Sequence, residues 1–222
     1  SPLPLGEGPG VRVAGTLTPD EDKKTLEFRL TNPLDIRNGS QDGAYRIRVT
    51  FADKAGNAQT KDFELIYDTQ VPTIRSTTPA LDQTVSALSQ VSVVLNDATG
   101  GVDFGRTQVK LLRGGNQIGA DASTNGVDTI VLTLAKPLAI DGSEDGEYTL
   151  EITPVDFAGN TGSTIRHRFF FATRKPEIRL NTPVGTRINS LATIEAQLFD
   201  YIGPGVNFLT SAGASSSLKS TI

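Results

Sequence analysis

A segment of sixteen residues recurs about one hundred positions further along the chain. Residues 42–57 read Asp-Gly-Ala-Tyr-Arg-Ile-Arg-Val-Thr-Phe-Ala-Asp-Lys-Ala-Gly-Asn, and residues 145–160 read Asp-Gly-Glu-Tyr-Thr-Leu-Glu-Ile-Thr-Pro-Val-Asp-Phe-Ala-Gly-Asn, an offset of 103 (148 − 45 = 103). A period of this length matches a small domain and exceeds the roughly 20 to 50 residues of a solenoid repeat. The sequence therefore predicts a series of modules, each with its own core.

A second pair of similar segments marks where the modules begin. Residues 71–79 (Val-Pro-Thr-Ile-Arg-Ser-Thr-Thr-Pro) match residues 175–183 (Lys-Pro-Glu-Ile-Arg-Leu-Asn-Thr-Pro) at an offset of 104. A weaker match at the same offset joins Gly101-Val-Asp-Phe104 to Gly205-Val-Asn-Phe208. The repetition thus continues into the last forty or so residues of the chain.

These matches divide the chain into three predicted repeats. Residues 1–71 are the latter part of repeat 1, residues 72–175 are a complete repeat 2 beginning at Pro72, and residues 176–222 are the first part of repeat 3 beginning at Pro176. The chain has no initiating methionine and no signal-like leader, so we expect a processed product or a piece of a longer protein.

The composition indicates a globular all-β protein. The 222 residues are 37% hydrophobic, and 22 glycines and 12 prolines separate short runs rich in Val, Ile, Thr, Phe and Tyr. No apolar helical period persists for three turns, and no stretch is apolar enough to span a membrane. With 25 acidic and 21 basic residues the net charge is −4, which argues against a nucleic-acid surface. The absence of cysteine excludes disulfides and cysteine-bound zinc.

Each sixteen-residue segment is predicted to begin a β-hairpin. Apolar and polar residues alternate through residues 45–51, which is the period of a half-buried strand. The apolar positions are Tyr45, Ile47, Val49 and Phe51, matched by Tyr148, Leu150 and Ile152, and the returning strand carries Phe63, Leu65 and Tyr67, matched by His167, Phe169 and Phe171. Gly56 and Gly159 occupy the turns, where positive φ is needed. The offset changes from 103 to 104 after the turn, so one extra residue is expected in the second hairpin.

Repeat 2 carries enough strands for two antiparallel sheets. Further strands are predicted at 73–76, 91–95, 108–112, about 117–120, and 129–134. About seven short strands separated by turn signals are typical of a Greek-key, immunoglobulin-like β-sandwich. Tyr45 and Tyr148 follow Asp-Gly-x and match the tyrosine of that fold whose hydroxyl bonds to upstream backbone. The fold class is therefore predicted as tandem immunoglobulin-like β-sandwich domains.

These motifs together resemble the bacterial immunoglobulin-like repeats of large surface proteins and adhesins. That pattern runs Asp-Gly-x-Tyr, Asp-x-Ala-Gly-Asn and Asp-Thr-x-x-Pro, and repeat 1 matches it at residues 42–45, 53–57 and 68–72. Repeat 2 matches the first two elements but reads Ala172-Thr-Arg-Lys-Pro176 at the third. The resemblance implies an extracellular or cell-surface bacterial protein with many such domains in series, each joined by a short linker.

Several acidic and amide side chains are candidates for binding Ca²⁺, a cation that takes six to eight oxygen ligands. Asp53 and Asn57, with their copies Asp156 and Asn160, lie in the hairpin turns, and Asp97 and Asp103 lie in a glycine-containing loop. The alternative is that these residues only cap turns, as Asp and Asn often do. Calcium is the one cofactor that the sequence suggests.

No enzymatic activity is predicted. His167 is the only histidine, and no Gly-x-Ser-x-Gly or other nucleophile motif accompanies it. We expect a structural or adhesive segment that spaces or presents a binding region, with neighbouring repeats, other copies of the chain and an unidentified surface ligand as partners. Two alternatives remain open: a strand-sharing subunit of a surface layer or filament, and a carbohydrate-binding module of a secreted hydrolase that uses exposed aromatic residues such as Tyr201.

Overall fold

The computed structural model describes residues 14–34, 38–181 and 195–200, together with the single positions 187, 189, 190 and 202. Every regular element in this part is a β-strand, which confirms the all-β class, and none of its residues belongs to a helix able to cross a membrane. The predicted match at Gly205–Phe208 and Tyr201 lie outside the described residues.

The described strands, in chain order, are β1 (Gly15–Asp20), β2 (Thr25–Leu30), β3 (Gly43–Ala52), β4 (Ala58–Tyr67), β5 (Thr73–Thr78), β6 (Thr84–Val85), β7 (Gln90–Asn96), β8 (Gln108–Arg113), β9 (Asn116–Gln117), β10 (Ala120–Thr124), β11 (Thr129–Leu134), β12 (Gly146–Thr153), β13 (Ile165–Phe171), β14 (Glu177–Leu180) and β15 (Ala196–Phe199).

Repeat 2 contains two sheets that share one apolar core, as in a β-sandwich. One sheet has the strand order β10-β11-β7-β5 and the other β6-β13-β12-β8-β9. All neighbours in the two sheets are antiparallel except β6 and β13. Both sheets supply alternate residues to one buried cluster, because side chains of successive strand residues point to opposite faces. The fully buried members include Val93, Leu150, Ile152, Phe169 and Phe171.

Most predicted strands of repeat 2 are present, but the one predicted at about 117–120 is wrong. The chain leaves the five-stranded sheet after β9 and joins the four-stranded sheet at β10. Ile118 still donates its N–H to Leu111 of one sheet, whereas the Gly119 carbonyl already accepts from Ala135 beside the other. The residues between them form the crossover from one sheet to the other, so they cannot belong to a single strand.

The predicted hairpins are both present, as β3–β4 and β12–β13. Gly56 and Gly159 have φ of 90° and 97° at their turns. In the second hairpin Ile152 faces Ile165 and Val155 faces Thr161. The chain therefore advances three positions from Ile152 to Val155 but four positions from Thr161 to Ile165. This confirms the extra residue expected from the change in offset.

The β3–β4 hairpin is less buried than the predicted alternation suggested. Ile47 is 47% exposed, whereas Leu150 at the equivalent position is 0% exposed. Phe51 is 61% exposed as well. The reason is that β3 and β4 pair only with each other within the described residues, while β12 and β13 are covered by a second sheet.

Candidate metal centre

The linker that follows each hairpin is tied to the Asp of the Asp-Gly-x-Tyr motif. The Asp42 carboxylate accepts the backbone N–H of Thr69 at 3.0 Å and its hydroxyl at 3.0 and 3.1 Å. Asp145 accepts the N–H and hydroxyl of Thr173 at 2.9 and 2.7 Å. These bonds tie each linker to the start of the hairpin that precedes it.

The tyrosines of the same motif also bond to nearby backbone. The hydroxyl of Tyr45 donates to the carbonyl of Gln41 at 2.7 Å, and that of Tyr148 donates to Glu144 at 2.8 Å. Burial raises the pKa of Tyr148, which keeps its hydroxyl protonated as a donor. The Asp-Gly-x-Tyr segments are therefore held at both ends by hydrogen bonds.

The two Asp-x-Ala-Gly-Asn turns have nearly the same internal hydrogen bonds. Asp156 accepts the N–H groups of Gly159 and Asn160 at 2.6 and 2.8 Å and the Asn160 side-chain amide at 2.7 Å. Asp53 accepts two turn N–H groups and the Asn57 side-chain amide at 2.7 Å, and hydrogen bonds from Asn57 lower its pKa. Both aspartates shape their turns, but Asp156 is 0% exposed and Asp53 is exposed.

The two aspartates of the glycine-containing loop are used differently. One oxygen of Asp97 accepts the backbone N–H groups of Thr99, Gly100 and Gly101 at 2.8–3.0 Å. Asp103 forms an ion pair with Arg106 at 2.6 Å, and Arg106 lowers the pKa of that carboxyl. The charge of Asp103 is therefore already matched by a cation of the protein.

Three carboxylates meet where repeat 1 joins repeat 2. One oxygen from each of Asp68, Asp97 and Asp156 lies within 4.8 Å of the other two. Asp68 comes from the linker after β4, Asp97 from the end of β7, and Asp156 from the turn after β12. Asn160 adds a direct link, because its side-chain amide donates to the carbonyl of Asp68 at 3.0 Å.

Asp68 has an oxygen without a hydrogen-bond partner. The residue is 8% exposed, and its Oδ1 accepts the N–H of Gln70 at 3.0 Å. Its Oδ2 is buried and has no partner among the described residues. That oxygen lies against Gly100, where any side chain would collide with it. Since buried polar atoms are nearly always paired, this oxygen is available to accept a hydrogen bond or to bind a cation.

The electrostatics of the cluster favour a bound cation. Burial raises the pKa of Asp68, and the negative charges of Asp97, Asp156 and Asp42 raise it further against the opposing effect of the Gln70 hydrogen bond. Like charges this close destabilise one another unless a proton or a cation is added. A divalent cation at this position would offset most of the negative charge and contact the unpaired oxygen of Asp68.

The residues present fit Ca²⁺. All three side chains offer carboxylate oxygens, which hard divalent cations prefer. The three oxygens lie within 4.8 Å of one another, close enough for one cation to contact all of them. They would supply three of the six to eight oxygen ligands that Ca²⁺ takes.

The structure thus brings together some of the predicted candidates and not others. Asp97 and Asp156 meet, with Asn160 beside them, while Asp53, Asn57 and Asp103 lie outside the cluster. Asp68 was recognised in the sequence only as part of the linker motif. The signal available in the sequence was its place in Asp-Thr-x-x-Pro, a motif whose Asp is replaced by Ala172 in the second linker.

His167 has a structural contact rather than a place in this cluster. It is half-buried on β13, and its Nε2 lies 2.6 Å from the Thr77 hydroxyl oxygen. The Thr77 hydroxyl donates to the carbonyl of Pro79 at 2.8 Å, so it accepts the hydrogen from the histidine.

No protein-family model matches the chain, and neither does any curated protein sequence. Three solved structures are distantly similar to this chain. PcoC, a methionine-rich copper resistance protein from Escherichia coli, is 15% identical with a TM-score of 0.39, over 46% of this chain and 100% of that one.

Two further solved structures are adhesins. The SrpA adhesin R347E mutant from Streptococcus sanguinis is 16% identical with a TM-score of 0.33, over 58% of this chain and 72% of that one. A tetra-tandem repeat in the extending region of a large adhesion protein is 19% identical with a TM-score of 0.34, over 77% of this chain and 46% of that one. All these values are too low to extend a ligand or activity to this chain.

Proposed function

We propose that this chain is a non-enzymatic structural segment of a bacterial surface or secreted protein, built from immunoglobulin-like repeats in series, in which calcium holds repeat 1 against repeat 2. The observation that carries the proposal is the buried, unpartnered oxygen of Asp68 beside the carboxylates of Asp97 and Asp156. The linker and the following repeat both contribute to this cluster, so a cation there would join two modules.

In the proposed site, hydrogen bonds within repeat 2 would position two carboxylates, and the linker would supply the third. Asp97 and Asp156 are held in place by backbone N–H groups of their own loops, so repeat 2 presents two oriented carboxylates. Asp68 approaches them from the linker, with Thr69 anchored on Asp42 of repeat 1. When bound, calcium would supply the positive charge that links these three carboxylates. Separating the repeats would then require breaking ligand bonds as well as displacing the linker.

The burial of the cluster supports a structural role over a catalytic one. Asp68 and Asp156 are 8% and 0% exposed, so their carboxylates face the joint and offer little room for a substrate. A short linker with a buried proline supports a limited range of angles between successive repeats. Together these features suit a segment that spaces other parts of a protein. The strand-sharing and carbohydrate-binding alternatives stay predictions from the sequence.

The proposal is tested by calcium titration of the purified chain, using calorimetry and thermal unfolding. We expect binding at the cluster of Asp68, Asp97 and Asp156 and a rise in Tm, because a ligand present at about 100 times its Kd adds about 2.7 kcal/mol of stability. Asp68→Asn should remove both effects. Asp53→Asn is the matched control, because it makes the same change of side chain at an exposed aspartate outside the cluster. An unchanged calcium response in Asp68→Asn would contradict the proposal.

A further inference from the structure

The chain contains two Asn-Gly pairs, and the asparagine of each is exposed in a turn. Asn38-Gly39 lies before β3, and Asn125-Gly126 lies between β10 and β11. The two glycines have similar backbone conformations, with φ of 68° and 73°. Glycine has no side chain to keep its backbone nitrogen away from the preceding amide, so an Asn-Gly pair can react with itself. The two pairs can therefore be compared as modification sites within one protein.

The reaction of such a pair is an intramolecular deamidation. The glycine nitrogen loses its proton and forms a bond to Cγ of the asparagine, while the bond from Cγ to Nδ2 breaks and ammonia leaves. Water then opens the resulting succinimide ring at one of its two carbonyl carbons. One opening gives aspartate in the normal chain, and the other gives isoaspartate, in which the backbone runs through the side-chain carbon. No electrons are transferred, and water is the only co-reactant.

Hydrogen bonds hold both reacting groups of the second pair. The Oδ1 atom of Asn125 accepts the N–H groups of residues 127–129 at 2.9–3.0 Å, and its Nδ2 donates to the Asp128 carboxylate at 2.8 Å. The N–H of Gly126 donates to the Thr124 hydroxyl at 3.0 Å. The amide therefore cannot turn toward the glycine nitrogen without breaking several of these bonds, and we expect this pair to react slowly.

The first pair is much less constrained. The Oδ1 atom of Asn38 accepts the N–H of Ser40 at 2.9 Å, which folds the side chain back over the turn. Its Nδ2 and the N–H of Gly39 have no hydrogen-bond partner among the described residues. The leaving group and the attacking nitrogen are thus both free, and one hydrogen bond keeps the amide near the backbone that attacks it.

We propose that Asn38 is a site of spontaneous deamidation in this protein and that Asn125 is protected from the same reaction by its hydrogen bonds. The proposal rests on the contrast between the two turns, since both have the same pair of residues and a similar glycine conformation. It does not depend on calcium. Deamidation adds a negative charge to repeat 1 and, where isoaspartate forms, changes the path of its backbone.

The corresponding turn of repeat 2 shows that a normal aspartate fits this position. Residues 38–42 read Asn-Gly-Ser-Gln-Asp, and residues 141–145, at an offset of 103, read Asp-Gly-Ser-Glu-Asp. Asp141 accepts the N–H two residues later at 2.9 Å, as Asn38 does. Deamidation to aspartate therefore gives the residue that repeat 2 already has. Isoaspartate is different, because it adds one atom to the backbone of the turn.

The turn that contains Asn38 also supports the linker after β4. The carbonyl of Gly39 accepts the N–H of Asp42 at 3.1 Å, and the Asp42 carboxylate accepts the N–H and hydroxyl of Thr69. The side chain of Gln70 lies so close to Gly39 that an added Cβ would press against it. An extra backbone atom before Gly39 would displace these contacts. Isoaspartate at position 38 should therefore loosen the linker, whereas aspartate should not.

Incubation of the full chain at mildly alkaline pH, followed by peptide mass spectrometry, tests the modification. Base speeds the reaction because the glycine nitrogen must lose a proton. Asn38 should convert at least about tenfold faster than Asn125, which corresponds to a difference of about 1.4 kcal/mol in the barrier. Asn38→Gln is the control and should stay unmodified, because its longer side chain must close a larger ring. Equal rates at the two asparagines, or no conversion of Asn38, would overturn the proposal.

Hydrogen exchange in EGTA tests the effect on the linker. In protein with isoaspartate at position 38, separated by chromatography, the Thr69 amide should exchange about two- to tenfold faster, the range expected for the loss of one hydrogen bond. Asn38→Asp, which adds the charge without the extra backbone atom, should exchange as the wild type does. Unchanged exchange with isoaspartate, or equally fast exchange in Asn38→Asp, would overturn the link between this turn and the linker. Neither result bears on calcium binding, so the proposed function is tested separately.

Discussion

At the scale of single residues, Asp68 is a charged group in an unfavourable position. Its carboxylate is buried, one oxygen has no partner, and other carboxylates lie nearby. Such a residue lowers the stability of the metal-free protein, since an unpaired buried polar group costs about 1–3 kcal/mol. The same features make it a good ligand, because a bound cation relieves both the repulsion and the missing contact.

The raised pKa of Asp68 predicts how stability depends on pH without calcium. The folded state holds this proton more tightly than the unfolded state, whose pKa is near the ordinary 3.8. The destabilising effect of the ionised Asp68 side chain therefore grows as the pH rises from 3.8 through the higher pKa of the folded state. Above that folded-state pKa the effect is complete. Asp68→Asn should raise the free energy of unfolding by about 1 kcal/mol at neutral pH in EGTA.

Urea unfolding of both proteins at neutral and acidic pH measures this effect. The difference between wild type and Asp68→Asn should shrink toward zero as pH falls toward the ordinary value of 3.8. With saturating calcium the order should reverse, because only the wild type binds the ion. Equal stability of the two proteins at neutral pH in EGTA would show that the unpaired carboxylate carries no penalty.

The close contact between Gly100 and the Asp68 carboxylate leads to a second prediction, about the affinity for calcium. Its Cα lies so close to Asp68 that an added methyl group must displace the carboxylate. Gly100→Ala should therefore weaken calcium binding roughly tenfold or more, the size of effect known for residues that position metal ligands. Gly119→Ala is the control, because a Cβ there meets no atom within 4 Å. Calorimetric titration distinguishes the two variants, and equal affinities would argue against close packing at the joint.

At the scale of elements, two hairpins with the same sequence pattern have different surroundings. The apolar face of β12–β13 packs into the core of repeat 2, where the Tyr148 ring stacks on Phe169 at 5.7 Å. The equivalent face of β3–β4 is half exposed, although Tyr45 and Tyr67 still make an edge-to-face contact at 6.2 Å. Alternation along a strand specifies a face, but the burial of that face depends on a second sheet.

Equivalent substitutions in the two hairpins should have unequal effects. Leu150→Ala removes a fully buried side chain and should cost about 2–5 kcal/mol of stability. Ile47→Ala, at the equivalent position 103 residues earlier, should cost less than about 1 kcal/mol because the side chain is 47% exposed. Urea unfolding followed by circular dichroism tests the pair. A cost for Ile47→Ala as large as that for Leu150→Ala would mean that a partner covers β3–β4 in solution.

At the scale of the whole molecule, repeat 2 carries a complete core within its own boundaries. All of the buried cluster lies between Leu88 and Phe171, and the partly buried residues packed against it begin at Ile74. Nothing in that cluster comes from repeat 1 or from the described part of repeat 3. The joint, in contrast, depends on residues from both sides of Pro72.

Residues 72–175 should therefore fold alone, with one cooperative transition in urea. This fragment should not respond to calcium, since it lacks Asp68. A longer fragment that begins at residue 42, so that it includes the β3–β4 hairpin and the Asp42–Thr69 contacts, should recover the calcium-dependent rise in Tm. A calcium response in the shorter fragment would mean that Asp97 and Asp156 bind the ion without the linker.

Local patterns were sufficient to predict the period, the hairpins, most strands of repeat 2 and the extra residue after Asn160, because alternation, turn residues and proline act through neighbouring backbone. The crossover at Gly119 and the exposure of Ile47 were decided by how sheets pack. Asp68, Asp97 and Asp156 are 29 and 59 positions apart (97 − 68 = 29; 156 − 97 = 59), so only the tertiary structure brings them together. The sequence contains the aspartates, but the packing of the linker against repeat 2 determines which of them come together. Contact between residues far apart in the sequence depends on the whole fold.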